Sequence, residues 1–154
     1  MATDWLDVAL VYDPVTRRAD AQLGDDGDLL LDETPITPML ITIGSDRRAR
    51  PDDELPSGRS ELNVPASFVE RRGWAGDALD VRGDLIGCRL WLLERAKHTE
   101  LTRLMTAEWL GEGFAWVEQE SGRAATIEVE WKTSQILAYR VVVDSQAIAL
   151  TRRI

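Results

Sequence analysis

Ala125-Thr126-Ile127-Glu128-Val129-Glu130-Trp131-Lys132 alternates apolar and polar residues without a break. A period of two puts Ala125, Ile127, Val129 and Trp131 on one face and the charged residues on the other, which is the pattern of a strand with one side buried and one in water. Lys132–Gln135 supplies a polar turn, and Ile136–Val143 follows as a second strand rich in β-branched residues. Asp144-Ser145-Gln146 turns once more into a last short strand, Ala147–Thr151. Residues 124–152 therefore read as an antiparallel β-meander, and its apolar face needs a second layer to cover it.

Upstream, the period changes from two to that of a helix. Thr99 stands as the N-cap of a helix running to about Val117, with Leu101, Leu104, Met105, Trp109 and Phe114 inward. Gly111 and Gly113 each cost about 1 kcal/mol relative to alanine in a helix, so they mark a bend or a close approach. Asp84 caps an earlier helix from Leu85 to about Lys97. Ile86, Leu90 and Leu93 form one of its stripes, and Leu85, Cys88 and Leu92 another, with Trp91 between them. A helix apolar on more than one face is buried on several sides or shared with a partner. Residues 85–118 thus read as a helical hairpin.

Residues 46–84 have no sustained period and are broken by prolines and glycines; Ala66–Arg71 is marked as one helical turn. Loops of this length in compact domains are usually functional or ordered by a partner. Thr34-Pro35 opens a helix over residues 34–45, with Ile36, Met39, Leu40 and Ile43 at helical spacing. Residues 1–32 alternate twice, with Leu6, Val8, Leu10 and Tyr12 and then Ala19, Ala21 and Leu23 inward. Asp13-Pro14 and Gly24–Asp28 turn the chain into the run Leu29–Leu31. The order predicts an α+β fold: one domain, residues 1–154, with antiparallel β-meanders at both ends around a central helix, long loop and helical hairpin.

Composition narrows the function. The 154 residues carry a formal charge of −9, which opposes general affinity for nucleic acid or anionic membrane. A single cysteine, Cys88, cannot form an intramolecular disulfide, as suits a reducing compartment. The N-terminus lacks the pattern of a signal peptide, and no run approaches the ~18 apolar residues of a membrane span. The expectation is a soluble protein made in the cytoplasm. Six tryptophans stand beside only two Phe and two Tyr, and tryptophan is a frequent interface anchor.

The usual chemistries find little support. His98 is the only histidine and sits in the polar junction Lys97-His98-Thr99-Glu100, without the spacing of a catalytic triad. One Cys and one His cannot complete a zinc site. Asp25-Asp26-Gly27-Asp28 lacks the spacing of a calcium loop and reads as a hairpin turn. Glu118 with Glu120, or Glu128 with Glu130, are the nearest approach to a glycosidase pair, and both read as solvated faces. No cofactor, metal or small-molecule substrate is expected. What remains is arginine beside tryptophan and proline. Arg47-Arg48-Ala49-Arg50-Pro51-Asp52-Asp53 and Arg71-Arg72-Gly73-Trp74-Ala75-Gly76-Asp77 share one order, basic then acidic. Guanidinium groups bond carboxylates bidentately and stack on indoles. Such arms serve internal salt bridging, a protein interface or, less readily, nucleic-acid contact.

At these residues the sequence resembles the small baseplate proteins of Mu-like phages and prophages, a family related to the lysozyme-like inner wedge subunit of T-even baseplates. The resemblance rests on Asp7–Tyr12, Asp46–Asp53, Arg71–Asp77 and Ile86-Gly87-Cys88-Arg89-Leu90-Trp91-Leu92-Leu93, and covers nearly the whole chain. Residues 57–70 are extra length between the two arginine motifs. The resemblance implies a structural protein of a contractile tail, located in the virion baseplate. There it would pack against larger wedge subunits and the sheath protein and template the first sheath ring. Arg47, Arg48, Arg50, Arg71, Arg72, Trp74, Asp77, Arg89 and Trp91 are its candidate partner-contact residues. The alternatives are a carboxylate-based wall-degrading hydrolase and a cytosolic adaptor.

Overall fold

The computed structural model describes residues 5–58 and 69–154. The first half of the expected turn at Ala66–Arg71, and most of the extra segment 57–70, lie outside the described residues. The fold is mixed α+β, with small antiparallel sheets at the N-terminal end, helices in the centre and a three-stranded meander at the C-terminal end. No described helix is long and apolar enough to cross a membrane.

The C-terminal meander comprises β5 (Thr126–Thr133), β6 (Ile136–Val143) and β7 (Gln146–Arg153), after four short N-terminal strands, β1 (Asp7–Val8), β2 (Leu10–Asp13), β3 (Arg18–Ala21) and β4 (Leu31–Asp32). Pairing is antiparallel in the order β5-β6-β7, with Val129 opposite Tyr139 and Val141 opposite Ile148. Alternation puts Leu137, Tyr139, Val141 and Val143 of the central strand into the core. Fully burying each aliphatic side chain contributes roughly 1.5–3 kcal/mol.

Two helices, α2 (Glu100–Gly113) and α3 (Ala115–Ser121), follow α1 (Ile36–Gly44), and α2 packs against β5. The Thr99 side chain accepts the Thr102 N–H at 3.1 Å, so the expected cap forms. The single helix expected to reach Val117 is instead broken at Phe114, which is buried between α2 and α3. Its inward face also differs from expectation. Leu101 and Leu104 are exposed, and the buried stripe is Thr102, Thr106, Trp109, Leu110 and Gly113. Leucine counts mark the wrong face because α2 packs through small residues. A Cβ on Gly113 would fall 2.1 Å from the Cys88 Sγ.

The other expected arm of the hairpin is not an α-helix. Leu85–Cys88 is held out of helical geometry, and only Arg89–Arg95 coils, as a 3-10 turn. Two backbone features cause this. Gly87 has φ +89°, and Cys88 makes a parallel bridge to Asp46, with its N–H on Ser45 O at 3.0 Å and its carbonyl accepting from Arg47 N–H at 3.1 Å. Asp84 therefore caps nothing; its carboxylate pairs with Arg82 at 3.1 Å. The apolar run on all faces is explained inside the domain, because Leu90, Trp91, Leu92 and Leu93 are all buried.

At the N-terminal end, β1 (Asp7–Val8) pairs with β4 (Leu31–Asp32), and β2 (Leu10–Asp13) with β3 (Arg18–Ala21). The expected strand 6–12 is interrupted at Ala9, whose N–H turns to Leu30 O at 2.8 Å. Ala19 and Ala21 do not face a core, since all of β3 is exposed, and Leu23 is exposed as well. Helix α1 (Ile36–Gly44) begins one residue later than Thr34-Pro35 suggests, with Pro35 as N-cap. Thr37 ties it to the sheets, donating to Val8 O at 2.9 Å and accepting from Leu10 N–H at 3.0 Å.

Candidate interaction site: an arginine-stapled loop

The long loop is fastened to its own domain by the arginines that make it conspicuous. Its two arms meet directly: Ala49 N–H donates to Arg71 O at 3.0 Å, and Arg71 Nη1 reaches Arg50 O at 2.5 Å. Gly73, at φ +99°, lets the second arm approach the Arg48 backbone where a Cβ would meet atoms at 2.8–3.2 Å.

Arg89 is the hub. Its side chain is 3% exposed and sits between Asp53 and Glu112. Nη1 bonds both Asp53 carboxylate oxygens at 2.7 Å, while Nε and Nη2 reach Glu112 Oε2 at 2.9 and 2.7 Å. The guanidinium carbon lies 5.8 Å from the centroid of the Trp109 ring. Arg50 takes the other Glu112 oxygen at 2.6 Å, and its own N–H donates to Asp53 Oδ2 at 2.7 Å. Arg47 Nη1 donates to Glu112 O at 3.3 Å. Burial by itself raises the Glu112 pKa; bonding and charge from Arg89, with Arg47 and Arg50, outweigh it and hold the carboxyl below its ordinary value.

Arg72 forms a second staple nearer the surface. It bonds Asp46 at 2.8 Å and Glu94 at 2.6 Å, and lies 4.6 Å above the Trp91 ring. The Trp91 indole N–H donates to Arg47 O at 2.8 Å. Arg89 and Trp91 are thus interior, and what they hold in place is the loop. Trp74 is the opposite case. It is 54% exposed, its ring lies over Gly76 where any Cβ would overlap it, and it borders a cleft of about 400 Å³ shared with Trp116 and Asp77. Asp77 is buried; its Oδ1 accepts the Ile86 N–H at 3.1 Å, and its Oδ2 has no hydrogen-bond partner.

Of the completing carboxylates, Asp46 heads the first arginine motif, but Glu112 and Glu94 have no sequence pattern that marks them as partners. Glu112 alone leaves a trace, since glycines on both sides let α2 come close at that point. The other tryptophans follow their sequence positions: Trp109 is core, Trp131 bonds Thr99 O at 3.2 Å beneath His98, and Trp5 meets Trp116 edge to face at 5.8 Å. Cys88 is fully buried, which pushes its thiol pKa up to about 12. A more open groove of about 970 Å³ lies elsewhere, between the β2–β3 hairpin and the C-terminal sheet. Glu128 and Glu130 line it, but each is mostly solvated and pairs with a cation, Arg140 and Lys132 respectively. An acid catalyst needs the reverse, a carboxyl kept neutral by apolar surroundings.

A family model described as phage protein GP46 matches residues 35–148, an interval that holds both arginine arms, Arg89 and Glu112. The chain belongs to the phage GP46 family. Baseplate protein gp46 of Escherichia phage Mu is 36% identical to it over 108 residues, which is 70% of this chain. The matched stretch spans 66% of that relative, just under two thirds of its length. No solved structure matches the chain. For this GP46-family chain the staples on Arg89 and Arg72 fasten the described arms of the loop to the domain, and they leave Trp74 exposed.

Proposed function

We propose that this chain is a structural, non-catalytic subunit of a contractile phage tail baseplate. In this reading it lies in the inner wedge, packs against larger wedge subunits and the sheath protein, and templates the first sheath ring. The observation that carries the proposal is the stapled loop within the interval matched by the family. Internal carboxylates engage the guanidinium groups of Arg89, Arg72 and Arg50, and a half-exposed indole beside a cleft is held at a fixed place for a neighbour. A rigid presented aromatic loses little entropy on docking, which favours assembly of a large particle from small subunits. The candidate contact residues divide accordingly: Arg89 and Trp91 position the loop, and Trp74 with the outer parts of Arg47, Arg48, Arg50, Arg71 and Arg72 meets the partner. The test is a phage or prophage lacking this gene, with purified particles examined by mass spectrometry and negative-stain microscopy. The proposal predicts no baseplate and no sheath without the chain, and the chain at the baseplate end when it is restored with a tag. Complete contractile tails formed in its absence would refute it.

A further inference from the structure

A second face of the molecule, far from the stapled loop in sequence, has the properties of a contact surface. Leu23 bridges Leu29, and Val8 pairs with Leu31. Residues opposite one another in an antiparallel pair, and residues two apart in a strand, share a face. Val8 and Leu31 therefore share a face, as do Leu23 and Leu29 at their bridge, and Leu6 stands just before β1. Four of them lie in water: Leu6 is 66% exposed, Leu23 67%, Leu29 46% and Leu31 63%. Isolated two-stranded pieces of sheet are marginal, and contiguous exposed apolar side chains mark interaction sites.

Charge says what kind of partner fits. Residues 5–34 hold eight carboxylates against two arginines, a surplus of six in a chain whose total is nine. Asp25, Asp26 and Asp28 stand exposed in the turn that joins Leu23 to Leu29, so acid borders the leucines directly. A second copy of this chain would bring the same surplus of negative charge to the contact, and nucleic acid or an anionic membrane would be repelled in the same way. We infer that this leucine face docks onto a different baseplate protein, on an apolar patch rimmed by lysine and arginine. The inference rests on the baseplate reading above. Burial of the leucines supplies affinity, and the acidic rim supplies orientation and rate of encounter.

The experiment places a photo-crosslinking amino acid at position 31, in place of Leu31, during particle assembly, and maps the crosslinked peptide. The expected product joins this chain to another baseplate protein at an apolar segment flanked by basic residues. A link to a second copy of the chain, or no link in particles that contain the chain, would overturn the inference and leave the baseplate reading intact. Particles devoid of the chain would instead overturn both. In parallel, Leu29→Ser/Leu31→Ser, checked for folding by circular dichroism, lowers incorporation into particles at least about tenfold, the loss expected from one well-buried leucine contact. Normal incorporation would contradict the inference. Should that variant fail to fold, the crosslink decides alone.

Discussion

Replacing Arg89 with alanine tests the organisation of the loop most severely. The substitution leaves Asp53 and Glu112, with side chains 9% and 21% exposed, facing a hole where a guanidinium made their bonds. Breaking a buried ion pair by removing one partner costs about 3–5 kcal/mol. Here part of the pairing survives: Arg50 still bonds Glu112 at 2.6 Å, and its N–H still bonds Asp53 at 2.7 Å. The expected cost is therefore about 3 kcal/mol, the low end of that range. For a domain of this size that lowers Tm by about 6–12 °C. Arg50→Ala, whose side chain is 52% exposed, removes under ~1 kcal/mol and serves as the control. Stability is read from urea titrations followed by circular dichroism at several pH values. The sign of the pH effect is a second readout. Glu112 has a lowered folded-state pKa, so its contribution is present above the unfolded value of about 4.5 and is lost as pH falls through the folded value. Arg89→Ala removes the strongest of the groups that lower the Glu112 pKa, so this acid sensitivity shrinks. An Arg89→Ala protein within ~1 kcal/mol of the parent, with the same acid profile, would refute the staple as the element that orders the loop.

Three further outcomes follow from local geometry. Cys88, buried with its thiol pKa near 12, stays unlabelled by a thiol-reactive disulfide reagent at pH 8 and reacts after unfolding; rapid labelling of the native protein would contradict its placement. Gly87→Ala puts a Cβ 2.3 Å from Ser45 O at φ +89° and destabilises by about 2–4 kcal/mol in thermal melts, whereas an unchanged Tm would disprove the bridged geometry of Cys88. Asp77→Asn keeps the acceptor for Ile86 N–H and removes the charge from the unpartnered oxygen, so stability holds or rises by up to about 1 kcal/mol. A larger loss would show that this oxygen has a partner.

The C-terminal meander was legible because strict alternation from Ala125 to Trp131 and polar turns around Ser134 and Asp144 define strands locally. The centre was not, for reasons that are tertiary. Leu85–Lys97 has a helical distribution of apolar residues, but a glycine at positive φ and a bridge to Asp46, 42 positions earlier, hold its start extended. In α2 the inward face includes Thr102, Thr106 and Gly113 beside Trp109 and Leu110; the first three count as polar or neutral in any hydrophobic pattern, yet Gly113 permits the close approach to Cys88. For the site, the arginine arms and Trp74 stood out by composition. Their carboxylate partners did not, because Glu112 lies 23 residues from Arg89 and 62 from Arg50, and pairing across such distances leaves no period in the chain.

The central claim, that the arginines fix the loop internally so that Trp74 meets a neighbouring subunit, is tested most directly by Trp74→Ala measured in two assays at once. Because this indole is 54% exposed, the purified variant melts within a few degrees of the parent. In the same cells it fails to co-purify with the baseplate protein proposed as its neighbour, and tails lack baseplates. A variant that folds normally and still enters complete baseplates at the parental level would contradict the account.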